Sequence, residues 1–151
     1  MKAGKLIQWA GVVAAACVML DAQAASMRVE QCWVRAMPAQ VPSAGYFTLH
    51  NDGDTLRTLT GVATPAFGMA MMHRSESNGS MATMAPVASV PVPAHGSLSF
   101  APKGYHVMLE QPAQPLKVGG TLPLTLRFDD GSSVTENCAI KAAAAMGEPA
   151  Q

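Results

Sequence analysis

Glycine, proline, asparagine and aspartate recur at intervals of roughly 8–12 residues from residue 25 onward, and no stretch between them carries a long apolar pattern of period 3.6. That spacing leaves room for short strands and little for helices, so the expected architecture is all-β, an antiparallel sandwich. Leu122, Leu124, Leu126 and Phe128 alternate with Thr121, Thr125 and Arg127, the pattern of a half-buried strand, and Pro123 suggests an edge or strand-start position for it. Asp129-Asp130-Gly131 turns that strand into the last one. Phe47 and Leu49 alternate with Tyr46 and Thr48 in the same way, and Trp33 is the expected aromatic anchor of the core. Strands are expected near residues 28–36, 45–51, 56–63, 70–77, 80–87, 97–100, 105–109, 121–128 and 133–139. Pro86, Pro91, Pro93 and Pro102 mark a stiff, extended crossing with few ladder hydrogen bonds, suited to carrying the chain from one sheet to the other.

The N-terminus reads as a secretory leader. Lys2 and Lys5 precede an apolar run from Leu6 to Leu20, and Ala22-Gln23-Ala24 supplies a small-x-small cleavage site, which sets a signal peptide at residues 1–24 and a mature start at Ala25. The run is short of the ~20 residues that span a bilayer, so no membrane span is expected in the mature chain. Ala14-Ala15-Ala16 before Cys17 is a poor lipobox, and the reading favours cleavage over lipidation. One domain is expected over residues 25–141, with a disordered tail over 142–151. Ten basic and ten acidic residues include Lys2, Lys5 and Asp21 of the leader, so the mature chain carries a net charge of −1 with no basic cluster. Nucleic acid is therefore excluded as a partner.

Two cysteines survive cleavage, Cys32 and Cys138. An even count in an exported protein points to one disulfide joining the first strand to the last; two free thiols or a thiolate metal ligand remain as alternatives.

The chemistry-bearing residues form one pattern. His73, Met84, His106 and Met108 are spaced H-x10-M-x21-H-x-M. Imidazole nitrogen and thioether sulfur make a soft, uncharged donor set that suits Cu(I) and offers little to Mg²⁺ or Ca²⁺. Asn78-Gly79 signals a two-residue type I′ hairpin with Ser77 facing Ser80, and that register sets His73 directly opposite Met84. His106 and Met108, two apart in a strand, share a face. The hairpin and the later strand are expected to meet at one end of the sandwich.

With this motif the chain resembles the periplasmic copper chaperones called PCuAC. The likeness extends to CWVRAMPA at 32–39, AGYFTLHNDGD at 44–54, GYHVML at 104–109 and PLKVGGTLPLTLRF at 115–128. The resemblance implies a cupredoxin-like or immunoglobulin-like β-sandwich that binds Cu(I) through His73, Met84, His106 and Met108. It also implies a periplasmic, non-enzymatic carrier that hands the ion to a copper-accepting oxidase subunit or another copper chaperone, notably for the dinuclear copper site of cytochrome c oxidase. Such a carrier is expected to act as a monomer.

Thioethers suit an exported carrier, because an oxidising compartment would turn a pair of free thiolates into a disulfide. Two further readings compete with the chaperone. A blue-copper electron carrier needs a cysteine ligand shortly before its second histidine, and Cys138 is followed by no later histidine. A general copper-tolerance protein would bind the metal without passing it on. No Ser-His-Asp or paired-carboxylate arrangement supports an enzyme. Met69 and Met71 share strand parity with His73, whereas Met72 and Met81 do not, and all four read first as packing or surface residues. His50 and His95 adjoin turns and read as solvent-facing. Residues 141–151 hold no histidine and only Met146, so no second metal site is expected there.

Overall fold

The period-two alternation is realised as ten strands, with no helix, in the computed structural model, which describes residues 26–145. The expected leader over 1–24, with Cys17, and residues 146–151 of the expected tail lie outside the described residues. The strands are β1 (Met27–Arg35), β2 (Ser43–Asn51), β3 (Arg57–Ala63), β4 (Phe67–Ser77), β5 (Ala82–Pro86), β6 (Val90–Val92), β7 (Ser97–Phe100), β8 (Tyr105–Pro112), β9 (Thr121–Phe128) and β10 (Ser133–Lys141).

All ten are joined in one hydrogen-bonded sheet of order β5-β4-β8-β7-β2-β1-β10-β9-β3-β6. The sheet folds over on itself. A Cβ placed on Gly45 of β2 would lie 3.4 Å from the Val107 side chain of β8 and 3.9 Å from Leu124 of β9, strands well apart in the hydrogen-bonded order. The Asn51 side chain of β2 likewise donates to the carbonyl of Val92 in the last strand of that order, at 3.1 Å. The two layers of the expected sandwich are thus halves of a continuous ladder. Most pairings are antiparallel, but β1–β10 and the single contact of β7 with β8 are parallel. In β1 the register with β2 gains one residue between Glu30 and Trp33, where Gln31 has φ 52°. A bulge of this kind bends and twists a strand, as one shared between two layers must be.

Leu122, Leu124, Leu126 and Phe128 all turn inward, and Phe47 stacks on Phe100 with centroids 4.5 Å apart at the centre of the core. Each such side chain contributes ~1.5–3 kcal/mol on burial. Trp33 departs from expectation. It is buried, but outside the main core, against Tyr46 at 4.6 Å, with Arg35 and Lys141 over its ring. The bulge accounts for this, since Gln31 shifts the parity of the residues that follow and sends Val34 inward in place of Trp33.

Pro123 sits near the start of β9, which as a whole lies between β10 and β3. The pairing with β3 begins only at Thr125, so the missing N–H of Pro123 costs that ladder nothing. The proline-rich crossing contains a strand the alternation did not reveal: Val90-Pro91-Val92 pairs with β3 as the outermost strand, where a proline is tolerated. The crossing does carry the chain across the molecule, from β5 at one end of the strand order to β6 at the other. Cys32 and Cys138 are disulfide-bonded, their Cα atoms 4.5 Å apart, joining β1 to β10.

Candidate metal site

The site is built on β4, which lies between β5 and β8. The β4–β5 hairpin does not form the two-residue turn that Asn78-Gly79 suggested. Ser77 pairs with Ala82, and the loop holds four residues, 78–81, closed by the Asn78 N–H donating to the Met81 carbonyl at 3.2 Å. A type I′ turn needs positive φ at both central residues, and here Gly79 has it (φ 94°) while Asn78 does not. The register therefore moves by two. Met84 stands opposite Ser75, and Pro86 takes the place opposite His73. A slip of two preserves the face, so Met84 still projects on the same side of the sheet as His73, one diagonal step away.

The partner directly opposite His73 is His106. In the β4–β8 ladder His73 faces His106 and Met71 faces Met108, so the two halves of the motif meet by side-by-side strand pairing rather than at one end of the sandwich. The imidazole centroids are 5.9 Å apart with planes 20° from parallel. Both histidines are buried, at 8% and 5% exposure. The Nδ1 of His106 lies 3.1 Å from the carbonyl of Gly104, which only accepts, so Nδ1 donates and, in the neutral ring, Nε2 is the nitrogen with the lone pair. That Nε2, and the Nδ1 of His73, are buried without a hydrogen-bond partner. Leaving such an atom unpaired costs ~1–3 kcal/mol. Two orphaned nitrogens on neighbouring rings are a donor set awaiting an acceptor of electron pairs, and a soft cation fits that requirement.

Access comes through an open cleft of about 780 Å³, lined by His106, Met84 and Met108 together with Met37, Val41 and Pro42 from the β1–β2 connection. Met84 is 61% exposed at its rim. Tyr46 and Arg35 lie on the same wall, the Arg35 guanidinium carbon 5.3 Å from the Tyr46 ring centroid. Burial pushes the Tyr46 hydroxyl above its ordinary pKa of 10.0, and the Arg35 charge works in the opposite direction.

The remaining candidates separate clearly. Met72 is buried in the core opposite Val107. Met81 is 64% exposed in the hairpin loop. Met69 is exposed, opposite Glu110, with the Gln111 side-chain amide donating to its sulfur at 3.5 Å. His50 lies 3.1 Å from Glu30, and His95 2.7 Å from Asp54, both away from the cleft. Of the thioethers near the site, Met37 in the cleft wall went unweighted in the sequence, and Met71, read first as a packing or surface residue, lies on the ladder opposite Met108. For Met71 a signal existed. Met71-Met72-His73 and His106-Val107-Met108 read as M-x-H and H-x-M, so the antiparallel register that pairs the histidines also pairs the methionines.

The all-β fold is one seen in solved structures. The chain is similar to the apo PCuAC domain of PmoF2, with a TM-score of 0.67 and 25% identity over 82% of this chain and 95% of that one. It is also similar to CuI-DR1885 from Deinococcus radiodurans in its solution structure, with a TM-score of 0.64 and 36% identity over 80% of this chain and 81% of that one. Residues 27–140 match the family described as "Putative lipoprotein LpqE-like", and the chain belongs to that LpqE-like family. A relative from Leifsonia xyli subsp. xyli (strain CTCB07), named "Putative lipoprotein Lxx21020", is 30% identical over 112 residues, covering 74% of this chain and 67% of its own.

Proposed function

We propose that this protein is an exported copper carrier that holds one Cu(I) between His73, His106, Met84 and Met108 and passes it to an acceptor in respiratory oxidase assembly, the dinuclear copper site of cytochrome c oxidase. The observation that carries this reading is the pair of buried, unpartnered imidazole nitrogens on rings 5.9 Å apart, of which His106 lines the same cleft as Met84 and Met108 while His73 lies behind that lining, opposite His106 on the ladder. Support also comes from the similarity to PCuAC domains, one of them copper-bound, from the similarity to CuI-DR1885, and from lipoprotein relatives, whose names imply export. Neutral sulfur and neutral imidazole bind Cu(I) without an anionic ligand, so an acceptor bearing thiolate can take the ion. Met84, on an exposed hairpin strand, is the arm that can release first.

The blue-copper alternative requires a thiolate. Cys32 and Cys138 are bonded to each other, so neither supplies one. Copper-tolerance binding without delivery is the competing reading, and a transfer experiment separates the two. The protein is titrated with Cu(I) under reducing conditions against a chromophoric chelator, then mixed with the soluble copper-binding domain of an oxidase subunit. The expected result is one Cu(I) per chain, followed by appearance of the metal on the acceptor. Tight binding with no transfer would favour tolerance; no Cu(I) binding would overturn both.

A further inference from the structure

Besides Met84 and Met108, Met71 and, one same-face step further from the histidines, Met69 carry sulfur on the outer face. Met71 lies directly opposite Met108, two ladder pairs below His73 and His106, and strand periodicity puts all four side chains on one face. Met71 does not serve the hydrophobic core: among the described residues the core cluster takes in Met27 and Met72 but not Met71, which is half-buried on the opposite face. It lines a second, open hollow of about 350 Å³ with Phe67, Met69 and Ala63. Met84, by contrast, sits on a five-residue strand at the edge of the sheet, a diagonal step from His73 and 61% exposed. The soft-donor residues nearest one another on the β4–β8 ladder are therefore His73, His106, Met108 and Met71.

We propose that Met71 is an interchangeable sulfur ligand for Cu(I), which binds the ion with His73, His106 and Met108 when Met84 disengages. This rests on the copper-carrier reading above and deepens it. In the exchange a Cu–Sδ bond to Met71 forms as the Cu–Sδ bond to Met84 breaks. The ion stays cuprous, both sulfurs are neutral, and no proton or electron moves. The exchange gives the hairpin freedom to swing toward an acceptor without dropping the ion into water. Long unbranched methionine side chains, with three rotatable bonds, suit such motion.

The test uses the full chain with ¹³C-methyl-labelled methionine, and Ag(I) as a redox-inert probe alongside Cu(I). Methyl resonances are assigned by single Met→Leu changes, and backbone resonances report that each variant is folded. In Met84→Leu, one equivalent of Ag(I) is expected to shift the Met71 methyl as well as that of Met108, and Cu(I) affinity falls less than about 10-fold. In Met71→Leu/Met84→Leu the affinity falls at least about 100-fold below wild type. A Met71 methyl that stays still in Met84→Leu, with the same Cu(I) affinity in the single and double variants, overturns the role of Met71 while leaving the carrier intact. Failure of wild type to shift any methionine methyl, or unchanged affinity in His106→Ala, overturns the carrier reading itself and this proposal with it.

Discussion

His73 and His106 stand directly opposite each other across the β4–β8 ladder, buried, each with one ring nitrogen that nothing in the fold satisfies. Two buried, unsatisfied ring nitrogens cost the copper-free fold stability. Replacing both with leucine is expected to keep or raise the stability of the copper-free protein, by up to about 1–2 kcal/mol in chemical denaturation, because a buried orphan is exchanged for apolar volume. The same variant should lose Cu(I) affinity by more than about 100-fold in chelator competition. A stability loss above about 1 kcal/mol would mean that the imidazoles hold the fold together.

Met84 and Met108 are both outside the hydrophobic core, the first largely in solvent and the second facing Met71. Changing both to leucine conserves volume and is expected to leave stability within about 0.5 kcal/mol, while Cu(I) affinity drops by at least about 100-fold. Copper binding equal to that of the unaltered protein would rule these sulfurs out as ligands.

The bond between Cys32 and Cys138 closes a loop of sequence separation 106, between a bulged strand and the last one. Constraint of the unfolded chain by a loop of this length amounts to about 4–5 kcal/mol. Reduction, or the Cys32→Ala/Cys138→Ala variant, should lower the urea midpoint accordingly. Equal midpoints with and without reductant would show that the bond contributes nothing to stability.

Tyr46 lies in the wall of the cleft with its hydroxyl held above the ordinary phenol range, first by burial and against the opposing charge of Arg35. A group whose pKa is raised in the folded state leaves stability untouched below its unfolded value and removes it as pH rises through the folded one. Thermal stability is thus expected to fall above about pH 10 in the wild type, and less steeply in Tyr46→Phe. Identical alkaline profiles would assign that fall to other groups.

Much of the β framework was legible because alternation has a period of two wherever one face is buried. Residues 97–100 and 121–128 were read with the bounds the strands have, and others were displaced by a few residues. The Val90–Val92 strand was missed because two valines around a proline carry too little pattern to outweigh the missing N–H. In the candidate site, the shared face of the four candidate side chains was readable, since His106 and Met108 are two apart and a hairpin slip of two leaves Met84 on its side. The partner of His73 was not. Met84 missed that place because the β4–β5 loop holds four residues rather than two, and His106 took it through the β4–β8 register, which no local pattern signals.

The chain by itself determined which atoms are available: a soft nitrogen and sulfur set, two cysteines far apart, and strands whose alternation commits each residue to a face. Which of those atoms meet was decided by the tertiary structure, through the register of β4 against β8 and the bulge in β1. Alternation is a local property repeated along one strand, whereas register is an agreement between strands distant in sequence. It is settled only when loop geometry and core packing act together.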